Sequence, residues 1–118
     1  MLRMGQFRVL ARLTGPTGRS EETELLVDTG STLVALPRAL AERLELVVER
    51  HQRVMVAGGV RTTLPVAEVR LAIGDQQVTT PCFIVPDGSA LLGAVALESL
   101  FLAVDPVGQR LVPAEGLI

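Results

Sequence analysis

The chain has 118 residues, 48% of them hydrophobic, with 11 basic against 13 acidic residues and a formal net charge of -2. That length predicts one domain over residues 1–118, small enough that oligomerisation is a common way to bury the apolar surface left over. The basic residues are all Arg and lie scattered along the chain, which argues against the clustered positive face of a nucleic-acid-binding domain.

In chain order, Gln6 to Leu13 alternates polar and apolar residues and predicts a half-buried strand. Gly15-Pro16-Thr17-Gly18 is turn chemistry, and Glu22 to Val27 predicts a second strand, completing an N-terminal hairpin. After Asp28-Thr29-Gly30-Ser31, the apolar run Thr32 to Leu36 predicts a third strand. Pro37 suits the first position of a short helix, Pro37 to Leu44, in which Leu36, Leu40 and Leu44 share one face. Arg53 to Ala57 and Val60 to Leu64 flank Gly58-Gly59, which signals a two-residue hairpin loop. Ala67 to Ile73, Gln77 to Thr80 and Pro81 to Val85 predict further strands, followed by a Pro86-Asp87-Gly88-Ser89 turn. Leu91-Leu92-Gly93 precedes a short helix, Val95 to Leu100, and the chain closes with strands at Phe101 to Asp105 and Gln109 to Pro113. Many short strands with Gly/Pro turns predict an all-β barrel or sandwich.

Few residues here offer catalytic chemistry. His51 is the only histidine and sits among charged and polar neighbours in what reads as a solvated turn. Cys82 is the only cysteine, which excludes an intramolecular disulfide and a thiolate metal cluster; inside an apolar strand it reads as a small core residue. No Walker loop, dinucleotide fingerprint or EF-hand spacing is present, and no metal or organic cofactor is expected. No run approaches the roughly 20 apolar residues that span a bilayer, and the start of the chain does not read as a secretory signal. The expectation is a soluble, cytoplasmic protein with neither nucleic acid nor membrane as partner.

Asp28 is the unusual carboxylate, because it follows the strand residues Glu24-Leu25-Leu26-Val27 and precedes Thr29-Gly30. A carboxylate at the end of a buried strand is costly unless backbone and hydroxyl donors hold it. Gly30 lets N–H groups approach, while Thr29 and Ser31 supply hydroxyls. An ordinary Asp-Thr-Gly β-turn explains the same tetrapeptide equally well.

The wider context distinguishes the two. Leu25-Leu26-Val27-Asp28-Thr29-Gly30-Ser31 resembles the active-site motif of aspartic proteases. Leu91-Leu92-Gly93 resembles the hydrophobic-hydrophobic-Gly element that this family places behind the catalytic turn, and Val54 to Leu64 falls where the family has its flap. The order and spacing are similar to those of the retropepsin-like branch, single lobes that dimerise, over Phe7 to about Val112. The resemblance implies an all-β, acid-protease closed barrel of short strands with one or two short helices and a ψ-loop around the catalytic turn. It assigns Asp28, Thr29 and Gly30 to catalysis, with Thr29 bracing two turns across a dimer axis, and Ser31, Ala57, Gly58, Gly59 and Val60 to substrate binding. Two departures bear on the interface and on closure. Ala94-Val95 stand where the retroviral enzymes carry Arg-Asn, and no Tyr is available for the flap.

The chemistry of this class uses two carboxylates sharing one proton. Only Asp87-Gly88-Ser89 rivals Asp28 within the chain, and without a hydroxyl residue between Asp and Gly it reads as a turn. The resemblance therefore implies an aspartic endopeptidase in which each protomer of a homodimer supplies one Asp28, acting on a peptide or protein in extended conformation. Ala35, Val56, Val60 and Ile84 fit either pocket walls or core. The alternative is a retropepsin-fold peptide-binding or dimerisation module with little or no hydrolysis.

Overall fold

The computed structural model describes residues 6–118. Its elements are β1 (Arg8–Thr14), β2 (Ser20–Val27), β3 (Val34–Pro37), α1 (Arg38–Arg43), β4 (Arg50–Met55), β5 (Arg61–Ile73), β6 (Gln76–Val85), β7 (Leu91–Leu92), α2 (Ala94–Ser99), β8 (Leu102–Asp105) and β9 (Arg110–Pro113). Among them no helix is long and apolar enough to cross a membrane.

Seven strands form one sheet in the order β1-β2-β7-β3-β6-β5-β4, and β1 also pairs with β5. The circuit from β1 through β2, β7, β3, β6 and β5 thus returns to β1, leaving β4 attached to β5 alone. Arg70 pairs with Thr79 on one edge and Thr14 on the other, while Val66 pairs with Phe83 and Arg50. β4 and β1 therefore share one edge of β5, and the β4–β5 hairpin projects beyond the closed part of the sheet. The strands β8 and β9 form a separate two-stranded sheet after α2.

Alternation in β1, β2, β5 and β6 sends one face inward, as half-buried strands require. Leu13, Leu25, Leu36, Leu71 and Leu92 are wholly buried there, each contributing on the order of 2 kcal/mol by leaving water. The face shared by Leu36, Leu40 and Leu44 is buried as expected, and it docks α1 on the core. Cys82 and Ile84 belong to the same core, and Ala35 is also buried.

Several expectations need correction. Pro37 is not the first helical residue: it ends β3, paired with Val85, and caps α1 with extended backbone angles of φ -63° and ψ 147°. Its ring fixes φ near a value that suits both elements, so the strand runs one residue further. The helix α2 begins and ends one residue earlier than predicted, at Ala94 and Ser99. His51 lies in a strand rather than a turn, exposed on β4 opposite Pro65.

Two pairs of expected strands merge across a proline. Val60 to Leu64 and Ala67 to Ile73 are largely one 13-residue strand, β5, and Gln77 to Val85 lies within the single strand β6. Each proline sits one residue before a second neighbouring strand joins, at Val66 in β5 and at Cys82 in β6. Glu49 N–H donates to the Val66 carbonyl at 2.8 Å, so Val66 faces β4 and Pro65 faces the edge that is still open. The missing N–H there breaks no ladder bond.

Candidate active site

Asp28 follows directly on β2, and its turn leads to β3. Between those two consecutive strands lies β7, parallel to β2 through Leu26–Leu91 and Val27–Leu92 and antiparallel to β3 through Ala35–Leu91. This is the ψ-loop arrangement expected from the two motifs. It brings segments more than sixty positions apart in the sequence into hydrogen-bond contact.

The turn is held almost entirely by backbone. Asp28 N–H donates to the Leu92 carbonyl at 3.0 Å, and Leu26 N–H to the Ala90 carbonyl at 2.9 Å. Ser31 N–H closes the turn on the Asp28 carbonyl at 3.1 Å, and Gly30 N–H donates to Asp28 Oδ1 at 3.0 Å. The second bond is the Asx contact that a short acidic side chain makes two residues on, and it fixes the carboxylate's orientation. Ser31 Oγ donates to the Leu33 carbonyl at 2.7 Å, so this hydroxyl braces its own loop.

The turn also supplies the start of α2. Ala94 N–H donates to the Ser31 carbonyl at 2.9 Å and Val95 N–H to the Thr32 carbonyl at 3.0 Å. Those first N–H groups of a helix normally need a side-chain cap, and Gly93 provides none. Gly93 is there for space. A Cβ on it would stand 2.3 Å from the Leu33 carbonyl oxygen and 2.5 Å from that of Ser31. Sequence reading picked out Leu91-Leu92-Gly93 as a motif, but this crowding is visible only in three dimensions.

Asp28 is half-buried, while Thr29 and Gly30 are exposed. Among the described residues the carboxylate accepts only the Gly30 bond, and the Thr29 hydroxyl has no hydrogen-bond partner. One carboxylate oxygen and one hydroxyl therefore remain available to another molecule.

The other nominated residues lie elsewhere. Ala57, Gly58, Gly59 and Val60 form the exposed tip of the β4–β5 hairpin. The tip is not the two-residue loop expected. Val56 N–H bonds the Val60 carbonyl at 2.8 Å and Gly59 N–H bonds the Val56 carbonyl at 3.0 Å, so the loop has three residues, Ala57, Gly58 and Gly59. Both glycines have positive φ, 90° and 84°, which suits a turn followed by one more left-handed residue. No hydrogen bond or ion pair joins this tip to the Asp28 turn among the described residues.

Asp87 stands in an exposed bend with Gly88 at φ 102°, in keeping with a turn. Cys82 is fully buried, and burial pushes its thiol up to about 12, which makes it a poor nucleophile. Among the described residues no group of three or more His, Cys, Asp or Glu could hold a metal ion.

A β-sheet that returns on itself, with an Asp-Thr-Gly turn crossed by a hydrophobic-Gly segment, defines one lobe of an acid protease. The comparisons agree: the aspartyl protease family model matches residues 11–97, and the chain belongs to that family. Among solved structures it is similar to the EIAV protease, solved in complex with the inhibitor HBY-793. That match has a TM-score of 0.64 and 17% identity, and it covers 91% of this chain and 92% of the other. The fold is thus retropepsin-like. No match to a curated protein was found.

Proposed function

We propose that the chain is an aspartic endopeptidase whose active form is a homodimer, with one Asp28 from each protomer. The observation that carries this reading is a half-buried carboxylate locked by backbone in a turn that occurs once in the chain, beside an exposed Thr29 without a partner. Two such turns related by a twofold axis would set two carboxylates against each other. At about 3 Å they cannot both ionise, so they hold one proton between them. The ionised one takes a proton from water, whose oxygen adds to the scissile carbonyl carbon. The neutral one donates a hydrogen bond to the carbonyl oxygen. Collapse of the tetrahedral intermediate passes a proton to the departing amine.

Thr29 is assigned to bracing the partner's turn, Gly30 to close backbone approach, and Ser31 to the wall beside the substrate. The β4–β5 hairpin, with Ala57, Gly58, Gly59 and Val60 at its tip, would cover an extended peptide and bond its backbone as an added strand does. The absence of Tyr leaves that role to main-chain groups of the tip. The inhibitor complex of the EIAV protease supports a ligand-binding cleft in this fold. A single, buried, free cysteine fits a cytoplasmic location.

The test is cleavage of a peptide library by the parent protein and by Asp28→Asn, with sedimentation to measure assembly. The expected outcome is a loss of kcat/KM of at least about a thousandfold with the dimer retained. Undiminished cleavage by the variant would remove the assignment. Peptide binding without turnover from pH 4 to 8 would favour the binding-module reading.

A further inference from the structure

The β4–β5 hairpin carries charge of one sign. From Arg50 to Ala67 there are three Arg and one His but no Asp or Glu, in a chain whose net charge is -2. Four other arginines, Arg12, Arg19, Arg43 and Arg110, are ion-paired. Arg53 and Arg61 are exposed, and their guanidinium groups have neither an ion pair nor a hydrogen bond among the described residues.

These two line one recess of ≈ 310 Å³ together with Val54 and Met55. Register explains the grouping of Arg53, Met55 and Arg61, while Val54 lies between two of them with the opposite alternation. Met55 pairs with Arg61 and Arg53 with Thr63, so strand alternation puts Arg53, Met55 and Arg61 on one face. On β5 the same alternation leads from Arg61 and Thr63 to Ala67, Val69 and Leu71, which are buried, while Glu68 and Arg70 are exposed. The Arg-bearing face of the hairpin is thus the outward continuation of the core-side face of β5. Two like charges flanking a recess, with no counter-charge of their own, attract an anion between them. A planar guanidinium suits a carboxylate best, through paired N–H donors.

We infer that Arg53 and Arg61 form a specificity subsite for an acidic side chain, Asp or Glu, of an extended peptide lying under the hairpin. This rests on the reading of the chain as a dimeric protease whose hairpins cover the substrate. It assigns the side-chain recognition that the glycine-rich tip lacks. Met55 supplies an apolar surface for the methylene groups of the acidic residue. The guanidinium groups supply the charge.

The experiment uses extended peptides made in pairs that differ only by Glu or Gln at each position around the cleaved bond. At one position the Glu peptide should be cleaved about five- to tenfold faster in kcat/KM. Arg61→Gln and Arg53→Gln should each remove most of that preference while leaving the Gln peptide within about twofold of the parent rate. Arg38→Gln, an exposed arginine on α1 that also lacks an ion pair, should leave the preference intact. Equal cleavage of every pair, or a Glu preference that survives both hairpin substitutions, overturns the subsite. If no peptide is cleaved, the protease reading falls and fluorescence anisotropy of the same labelled pairs decides the subsite. Glu-selective binding lost in Arg61→Gln upholds it, and equal or absent binding removes it.

Discussion

The Asp28 turn and the Val56–Val60 hairpin tip are both short, glycine-bearing links between strands, yet they are held in opposite ways. Around Asp28, successive N–H and carbonyl groups bond to β7 and to the start of α2. At the tip, two backbone bonds close the loop on itself, and Val56 and Val60 are exposed. The key glycines differ in the same sense. Gly93, behind the turn, is required because carbonyl groups crowd it, whereas Gly58 and Gly59 have open space around them and are required for their positive φ. The carboxylate proposed to meet its twin sits where tertiary contacts over-determine the backbone. The hairpin proposed to cover a substrate ends where only local bonds hold the chain.

Substitutions at these glycines sharpen the contrast. Gly93→Ala should be the most damaging change, because the added Cβ meets backbone oxygens of two neighbouring residues that are themselves committed. A loss above about 4 kcal/mol is expected, read as a collapse of the urea midpoint or of soluble yield. If Gly93→Ala unfolds within 1 M urea of the parent, the turn has more slack than its contacts indicate. Gly58→Ala at the tip should cost only about 1 kcal/mol, since the strain is local to one positive φ. On the proposed function its larger effect falls on kcat/KM, because the hairpin would cover the substrate.

The core behind the turn gives a third measure. Cys82 is wholly buried and its thiol is held up at about 12, so the folded protein should react with a thiol reagent at pH 8 only through opening of the structure. Labelling should be at least about a hundredfold slower than in denaturant. Rapid labelling would show that the core beside β3 opens more readily than its burial indicates.

The smallest effect is expected in the separate two-stranded sheet, at the β8–β9 turn. The Gly108 N–H, and next the Arg110 side chain, hold the Asp105 carboxyl below its usual range. A lowered folded value means that this group stabilises above its unfolded pKa of about 3.9 and loses that contribution as pH falls through the folded value. Asp105→Asn should therefore lower the thermal midpoint slightly at pH 6, with the gap to the parent closing as pH falls through the lowered folded value. A gap that widens on acidification would contradict the assignment.

Much of this was legible in the residues. The Arg8–Thr14 and Ser20–Val27 hairpin followed from alternation, and α1 from the spacing of Leu36, Leu40 and Leu44, because both periods are local. The paired motifs at Asp28 and Leu91 carried the ψ-loop through resemblance. Errors collected at proline and glycine, where a residue type constrains one dihedral but its neighbours decide the outcome. The strand expected to stop at Leu64 runs on through Pro65, and the one expected to start at Pro81 begins earlier, each proline lying where only one neighbour has yet joined. Gly58-Gly59 read as the whole loop, and the structure adds Ala57. His51 read as a turn because its neighbours are polar, but an edge strand attached on one side only can be polar throughout.

By itself the sequence determined the strand-rich class of fold and the single Asp-Thr-Gly turn per chain, since these depend on residue identity and short-range period. Tertiary structure alone decided which backbone groups hold Asp28, why position 93 excludes a side chain, and that Arg53 and Arg61 share a recess. Those are relations between segments brought together by sheet register. Register depends on how every strand in the closed circuit finds its neighbour, and no short stretch of sequence encodes that.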